Sequence, residues 1–315
     1  MTDNILDYVA RQRELLKEML VRDMQQLAEQ CAGLMQQPQA LEKLLQRQFS
    51  KACYFKYLWV LDHAGIQLTA TVTRKKLKAE QRGRDRAARP YLQRAFAGDA
   101  FYLSDAYISR HRKRPSLTAV QTIYDENGRT LGYLGADFDL RKLPHTGKLK
   151  LGKKGWQQMK GDPAIRGGLF AQQRVVSAMD EKIDDILDLM AELIIAHGVF
   201  HAKLHFSSSR ASVWLVDNPY DYQILSIDEL IDPSLCLAFP KRDYFDQATV
   251  PPKKIKKIFR QFKKLRFADE TIYLRSASLN VVNGKVGLNF SCDGSHYVSW
   301  DEFLEKDNNF WFGVN

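Results

Sequence analysis

The stretch that decides the fold lies between Gly83 and Leu143 and contains three motifs: Gly83-Arg84-Asp85-Arg86-Ala87-Ala88-Arg89-Pro90-Tyr91, then Ser104-Asp105-Ala106-Tyr107-Ile108-Ser109, then Leu131-Gly132-Tyr133-Leu134-Gly135-Ala136-Asp137. Proline is favoured at the first position of a helix, so the first motif predicts a helix that begins at Pro90. The third motif predicts a strand. Side chains alternate along a strand, so this strand has Tyr133, Gly135, Asp137 and Asp139 on one face of its sheet.

The sequence on either side of these motifs predicts the remaining elements of one domain. Residues 3–36 have apolar residues at helical spacing and predict one long helix, and Ala40 to Ser50 predicts a second helix. Tyr57 to Val72 and Leu117 to Asp137 predict two β-hairpins, because each alternates around a turn rich in Asp and Gly. This order of long helix, hairpin, short helix, strand and hairpin is typical of a PAS-like antiparallel sheet.

The three motifs, in this order, resemble the Cache (PDC) family of small-molecule sensor domains over about residues 1–143. The resemblance implies a PAS-like antiparallel sheet with a long N-terminal helix and a pocket for a metabolite. It implies that Arg89 is the leading ligand residue, that Tyr91 and Tyr107 line the pocket, and that Asp137 accepts a ligand ammonium group. Ser109 occupies a position where amino-acid-binding members of the family carry an aspartate.

A guanidinium group and a carboxylate in one pocket suit a zwitterion. The planar fork of an arginine matches a ligand carboxylate in two parallel hydrogen bonds. We therefore expect Arg89 and Asp137 to bind a small carboxylate or an amino acid. Other interpretations stay open: these two residues can pair with each other or with surface partners, the tyrosines can belong to the core, and Asp139 can take the place of Asp137.

Arg86 has two interpretations. It can reach the mouth of the pocket, or it can belong to a solvated run of charge with Arg84 and Asp85.

The chain is long enough for two hydrophobic cores, so we expect two domains. We assign residues 1–145 to the sensor domain, 146–165 to a basic linker and 166–315 to a second α+β domain, which resembles no family. In this second domain we expect amphipathic helices at Leu169 to His197 and Pro251 to Arg266, and a hairpin around Asn283-Gly284.

Three histidines of the second half, His197, His201 and His205, are spaced by four residues. A continuous helix would align them into a candidate metal site. Gly198 and the strand-like residues after it indicate that the helix ends among them, which favours ordinary structural histidines. A metal-dependent or hydrolytic enzyme is therefore an alternative function, and a sensor that is not an enzyme is favoured. No cofactor motif is present, and we expect no cofactor.

The sequence also makes predictions about partners and location. The formal net charge is +10, and the segment Lys253 to Arg266 is a basic amphipathic helix that can dock on an acidic partner such as nucleic acid or an anionic membrane. A core-packed helix with a solvated basic face explains the same pattern. The narrow apolar stripe of residues 3–36 can lie on its own sheet or form a homodimer.

No apolar run is long enough to cross a bilayer, and the N-terminus has no basic leader pattern. We therefore expect a cytoplasmic ligand sensor without a membrane span.

Overall fold

The computed structural model describes residues 5–52, 54–109, 113–144, 173–291, 294–306 and 310–311. These residues form two compact units. One contains residues 9–109 and 115–144, and the other contains residues 5–8, 113–114, 173–291, 294–306 and 310–311. The predicted linker at 146–165 and the domain boundaries on either side of it lie outside the described residues.

Two helices begin the N-terminal unit, α1 (Ile5–Ala32) and α2 (Pro38–Lys51). The apolar stripe predicted for α1 is buried within the chain. Its buried residues include Val9, Leu16, Leu20, Met24, Leu27 and Cys31. Pro38 occupies the first turn of α2, where the missing N–H of proline costs nothing.

The N-terminal sheet is antiparallel. Its strands are β1 (Phe55–Asp62), β2 (Thr71–Val72), β3 (Leu77–Lys78), β4 (Phe101–Leu103), β5 (Tyr107–Ile108), β6 (Pro115–Tyr124) and β7 (Thr130–Asp139). They lie in the order β3-β2-β1-β7-β6-β4, and β5 also pairs with β6. A short helix, α3 (Pro90–Phe96), begins at the predicted proline. The predicted order of elements and the α+β fold class are confirmed.

Aspartate side chains close the turns that follow β1 and β6. One oxygen of Asp62 accepts the N–H groups of Ala64 and Ile66, each at 2.9 Å. Asp125 accepts those of Asn127 at 2.9 Å and Arg129 at 2.7 Å. An aspartate that bonds the backbone just after it stabilises a tight turn.

The C-terminal unit is a second α+β domain, as predicted. Its helices are α4 (Ala178–Glu181), α5 (Ile183–Ala196), α6 (Ile227–Ile231), α7 (Pro252–Arg266) and α8 (Trp300–Glu305). Its strands are β8 (Val199–His205), β9 (Arg210–Leu215), β10 (Asn218–Leu225), β11 (Leu274–Asn280), β12 (Lys285–Phe290) and β13 (Ser295–Ser299). They form one antiparallel sheet in the order β10-β9-β8-β11-β12-β13.

The helix predicted over Leu169 to His197 is wrong in its first part. Residues 173–177 are not helical, Val176 is 53% exposed, and the helical segment begins only after Ser177. Ser177 and Asp180 form a capping box, in which each side chain accepts the other's backbone N–H. This box satisfies N–H groups that a helix start leaves unpaired, so it defines the true beginning.

Candidate ligand-binding site

The candidate site lies on the face of the N-terminal sheet that α3 covers. Neighbouring strands place Tyr57 opposite Asp137 and Trp59 opposite Gly135, and they also place Thr118 opposite Asp137. Cross-strand partners share a face, so two aromatic rings, a carboxylate and a hydroxyl are brought together on three adjacent strands.

An apolar cluster forms one part of this face. It consists of Trp59, Leu61, Leu92, Ala95, Val120 and Tyr133, with Tyr57 and Tyr91 packed against it. Leu92 and Ala95 belong to α3. The cluster therefore fixes α3 on the sheet and holds the helix start, including Tyr91, close to the strand residues.

Trp59 lies at the centre of the face with its indole against the backbone of Gly135. Only 1% of its surface is exposed, and its Nε1–H has no hydrogen-bond partner among the described residues. A buried donor without a partner is costly in the unliganded protein, so this N–H is available to an acceptor that enters the site.

Asp137 is held by two hydroxyl groups. Its Oδ1 accepts hydrogen bonds from Thr118 at 2.6 Å and from Tyr107 at 3.5 Å, and the two hydroxyls lie 2.9 Å apart. Its Oδ2 accepts no hydrogen bond from a residue that the structure describes. Burial raises the pKa of Asp137, and the Thr118 hydrogen bond and the charges of Lys56 and Arg86 only partly oppose this. Burial, followed by the negative charge of Asp137, raises the pKa of Tyr107.

Arg86 is the guanidinium group that the structure brings to this face. Its Nε donates to Gln67 Oε1 at 2.7 Å and its Nη1 donates to the Tyr91 hydroxyl at 3.3 Å. The guanidinium carbon lies 4.7 Å from the centre of the Trp59 ring, a cation–π distance. An arginine has five N–H donors, so the two bonds to described residues leave three for a ligand.

Gln67 fixes Arg86 from behind. It is 1% exposed, and its Nε2 donates to the Thr69 carbonyl at 2.8 Å and to Thr71 Oγ1 at 3.0 Å. These two bonds turn the Gln67 carbonyl oxygen toward Arg86. Arg84, two residues before Arg86, instead bonds the exposed Gln81 at 2.8 Å and belongs to the solvated charge.

Arg89 and Ser109 are placed differently from the other predicted residues. Arg89 caps the N-terminus of α3, and its backbone N–H donates to the Arg86 carbonyl at 2.9 Å. That turn sets the position of Arg86, but the Arg89 side chain makes no hydrogen bond to a described residue. Ser109 Oγ is buried without a partner in the described ranges and adjoins residues 110–112, which lie outside them.

The structure therefore gathers Arg86, Tyr91, Tyr107 and Asp137 of the predicted set. Sequence reasoning missed Trp59, Gln67 and Thr118, which complete the site. The alternation along β1 and β6 is the signal for Trp59 and Thr118. It becomes useful only when the register of the two strands against β7 is known.

The three candidate metal-ligating histidines do not converge. His197 follows the end of α5 and is buried, with its Nδ1 3.0 Å from the Phe239 carbonyl and its Nε2 3.6 Å from Glu192. His201 stacks on Trp214, and His205 lies 3.1 Å from the Ser212 hydroxyl. No group of three potential metal ligands occurs within the described part of the chain.

The basic helix α7 is packed on the C-terminal core, and acidic side chains offset part of its charge. Ile255, Ile258, Phe259, Phe262 and Leu265 are buried. Lys256 pairs with Asp188 at 2.7 Å and Lys263 with Asp184 at 2.8 Å. The basic face left to solvent is therefore smaller than the sequence indicates.

Every helix in the described ranges is too short or too polar to cross a lipid bilayer.

Comparisons with known proteins give matches among solved structures alone. No family model matches the chain, and no curated protein matches it. An extracellular ligand-binding receptor from Desulfohalobium retbaense is similar, with a TM-score of 0.36 and 16% identity over 44% of this chain and 25% of the receptor. The ligand-binding domain of the Pseudomonas fluorescens chemoreceptor CtaA, in complex with L-serine, has a TM-score of 0.34 and 18% identity over 43% of this chain and 56% of its own.

The ligand-binding domain of the Pseudomonas aeruginosa amino acid chemoreceptor PctC, in complex with GABA, has a TM-score of 0.34 and 21% identity over 42% of this chain and 57% of its own. The chain thus spans between a quarter and just over half of the solved structures named here. The N-terminal unit combines a long N-terminal helix with an antiparallel sheet, as the sequence predicts.

Proposed function

We propose that the N-terminal domain senses a small zwitterion, an amino acid or a closely related aminocarboxylate. One observation carries the proposal: a fixed guanidinium group and a desolvated carboxylate share one aromatic face without forming an ion pair with each other. Arg86 would bind the ligand carboxylate and Asp137 the ligand ammonium. The proposal assigns the ligand carboxylate to Arg86, whereas the family resemblance implies Arg89 as the leading ligand residue.

The geometry supports this division of roles. Arg86 keeps three N–H donors free of bonds to described residues, and Asp137 keeps Oδ2 free of them. Burial destabilises the negative charge of the Asp137 carboxylate, and a ligand ammonium beside it would stabilise that charge. The unpaired Nε1–H of Trp59 lies beside Arg86 and would donate to the same ligand carboxylate.

The unliganded site stores unfavourable free energy that a ligand can relieve. Asp137 is desolvated, and Trp59 has a buried donor without a partner in the described residues. Binding a zwitterion would satisfy both groups, whereas binding a simple amine or a simple acid would satisfy one. We therefore expect the zwitterion to bind more tightly than either half alone.

The test is a thermal-shift screen of the full chain with amino acids, the matching organic acids and the matching amines. Arg86→Gln and Asp137→Asn should each weaken binding of the best ligand about 10- to 100-fold, because each removes a charge-assisted hydrogen bond. Arg84→Gln and Asp105→Asn are matched controls, since Arg84 is exposed and the Asp105 side chain is 97% exposed. Equal binding to wild type and to both site variants would refute the proposal.

Arg89→Gln separates the two assignments of the carboxylate-binding arginine. We expect Arg89→Gln to retain most of the affinity, because the backbone of Arg89 and not its side chain contacts the site. A loss equal to that of Arg86→Gln would restore Arg89 as a direct ligand residue.

Signalling requires that the ligand binds one arrangement of the protein more tightly than another. Homodimerisation through α1 and a cytoplasmic location stay predictions. The apolar stripe of α1 is already buried, so a dimer would have to use the opposite side of the helix, where Leu15 is 40% exposed. Sedimentation analysis with and without ligand would test the dimer.

An acidic partner for Lys253 to Arg266 also stays a prediction. It would have to use the exposed basic residues Lys253, Lys257, Arg260 and Lys264, because Lys256 and Lys263 are paired within the domain.

A further inference from the structure

The C-terminal sheet has one fully buried face and one face that is partly exposed. Residues of the buried face, such as Ala202, Leu204, Val213 and Ala277, are 0–1% exposed. We call the opposite side, which carries His201, Lys203, Trp214, Tyr222 and Tyr297, the open face. The cross-strand register places these residues, which belong to four strands, on the same side of the sheet. Tyr222 is 48% exposed and Tyr297 is 71% exposed.

A row of rings crosses three neighbouring strands of the open face. Tyr222 lies opposite Trp214, and Trp214 lies opposite His201. The rings of Tyr222 and Trp214 are 5.6 Å apart, and those of Trp214 and His201 are stacked at 4.5 Å with an angle of 15° between their planes. Burial, followed by the charge of Lys203, lowers the pKa of His201. At neutral pH His201 is therefore an uncharged ring stacked on Trp214.

A second ring lies at the far edge of the same face. Tyr297 is opposite Gly287, and a Cβ at Gly287 would come within 3.1 Å of the tyrosine ring. The glycine lets the ring of Tyr297 lie on the sheet with its other side in solvent. The sheet is six strands wide, or roughly 24 Å at about 4.8 Å for each strand. Exposed rings therefore lie toward both edges.

Positive charge lies between and beside the rings. Lys203, Arg210 and Lys285 have no ion pair with any carboxylate that the structure describes, in contrast to Lys256 and Lys263 of α7. No acidic residue occupies an open-face position in the described residues of β8, β9, β11, β12 or β13. The open face therefore presents basic groups that the domain itself does not neutralise.

Hydroxyl and amide side chains occupy open-face positions of β11 and β12. Ser276 and Ser278 face His205 and Lys203 across the strand pair, and Asn289 faces Ser276. Such groups can both donate and accept hydrogen bonds. They suit the ribose 2′-hydroxyl, which DNA lacks.

We propose that the open face binds single-stranded RNA. Bases stack on Tyr222 and Tyr297, and phosphates lie against Lys203 and Arg210. Proteins that bind single-stranded nucleic acid with little sequence preference stack the bases on exposed aromatic rings and hold the phosphates along a basic surface. The width of the face fits on the order of four nucleotides, the low end of the range for one such domain. The proposal does not depend on the zwitterion site.

The test is fluorescence anisotropy of the full chain with a labelled ten-nucleotide single-stranded RNA of mixed sequence. Tyr222→Ala and Tyr297→Ala should each weaken binding about 5- to 150-fold through loss of one stacked base. Lys203→Gln should weaken binding and reduce the slope of log affinity against log salt by about 0.7. Tyr124→Ala, at a 39% exposed tyrosine of the N-terminal domain, and Lys75→Gln, at an exposed lysine of the same domain, are the matched controls, and Lys257→Gln tests the alternative site on α7.

Each alternative occupant gives a different outcome. Loss of binding in Lys257→Gln with none in Tyr222→Ala would move the site to α7 and overturn the proposal. Equal affinity for DNA of the same sequence would overturn the assignment to RNA, and preference for a duplex would overturn the assignment to a single strand. No binding of RNA by the wild-type chain at low salt would overturn it entirely. Tyr222 and Tyr297 are 48% and 71% exposed and Lys203 is partly buried, so the melting temperature should change little while the affinity falls.

Discussion

Trp59 lies directly opposite Gly135, and its indole occupies the space that a side chain at that position would need. A Cβ on Gly135 would come within 2.3 Å of Trp59 Nε1. The same indole supports the guanidinium of Arg86 at 4.7 Å. A glycine in the middle of a strand thus determines where the charge of the candidate site lies.

Gly135→Ala should therefore impair both stability and binding. The ring has to move because the new methyl group overlaps it, which costs about 1–3 kcal/mol in the free energy of unfolding. The displaced ring no longer supports Arg86, so the ligand-induced thermal shift should fall as well. Denaturant unfolding and the ligand screen measure the two effects.

Gly33→Ala is the control for this substitution, because nothing lies within 4 Å of the position that its Cβ would take. It should leave both measurements nearly unchanged. A Gly135→Ala variant that unfolds like Gly33→Ala and still binds ligand would contradict the role given to Trp59.

Asp137→Asn should stabilise the protein without ligand. Burial raises the pKa of Asp137 above its value in the unfolded chain. A group with a raised pKa favours the folded state at low pH and loses that contribution as the pH rises through the folded pKa. The carboxyl group of Asp137 is therefore less favourable to the folded protein at neutral pH than at low pH, and a neutral amide removes that cost.

The melting temperature of Asp137→Asn relative to wild type should accordingly increase between pH 4 and pH 7, by roughly 2–4 °C for each 1 kcal/mol relieved. The same variant should lose the ligand-induced shift. A variant that is less stable than wild type at pH 7 would indicate that Asp137 is a structural ion and not a ligand-binding group.

Glu42 should support the segment that presents Arg86. Its carboxylate accepts the Ala70 N–H at 2.6 Å and binds Arg82 in two hydrogen bonds of 2.8 Å and 2.7 Å. These contacts tie α2 to two points, Ala70 and Arg82, in the segment between β1 and α3. Burial alone would raise the pKa of Glu42, but the Arg82 and Ala70 hydrogen bonds and the Arg82 charge outweigh it and lower that pKa.

Glu42→Gln should destabilise the N-terminal domain by about 1–3 kcal/mol at pH 7. The lowered pKa means that the contribution of Glu42 is present above its unfolded pKa and is lost as the pH falls through the folded value. The difference between variant and wild type should therefore shrink in acid. Glu29→Gln is the control, because Glu29 is exposed and bonds only Gln25 among the partners described. Equal effects of the two variants would argue against this role.

The sequence was sufficient to predict the helix and strand that carry the candidate site. It was insufficient to predict the contacts between them. Alternation along β7 placed Asp137 on a defined face, and Pro90 marked the start of α3. The choice between Arg86 and Arg89 depends on a turn in which Arg89 N–H bonds Arg86 O, and there the Arg86 side chain bonds Gln67 and Tyr91 whereas the Arg89 side chain makes no cap hydrogen bond to a described residue. No periodicity encodes that turn.

Trp59 is a second example of a contact that the sequence could not predict. An aromatic residue within a strand indicates a core position, and Trp59 is indeed buried. Its significance comes from the Gly135 opposite it, a pairing set by strand register across more than seventy residues of chain. The histidine spacing failed for the converse reason: a spacing of four aligns side chains only in a helix, and α5 ends at Ala196.

The buried ion pair between Asp180 and Arg266 gives the last prediction. Both side chains are 0% exposed, and the guanidinium group donates to the two carboxylate oxygens at 2.9 Å and 2.7 Å. It also donates to the Leu274 carbonyl at 3.1 Å and lies 5.1 Å from the ring of Tyr273. The pair thus joins the start of α4 to the end of α7 and to β11.

Removing one partner of such a pair leaves an uncompensated charge in the core, so Asp180→Asn should destabilise the C-terminal domain by about 3–5 kcal/mol. Asp184→Asn, at the start of the next helix α5, is the matched control, because the Asp184 side chain is 69% exposed and its bond to Lys263 on α7 should contribute less than about 1 kcal/mol. Denaturant unfolding of both variants measures the difference. The double variant Asp180→Leu with Arg266→Met should cost less than Asp180→Asn alone, because it leaves no unpaired charge behind. A double variant that costs as much as the sum of its two single variants would show that the carboxylate and the guanidinium contribute independently of each other.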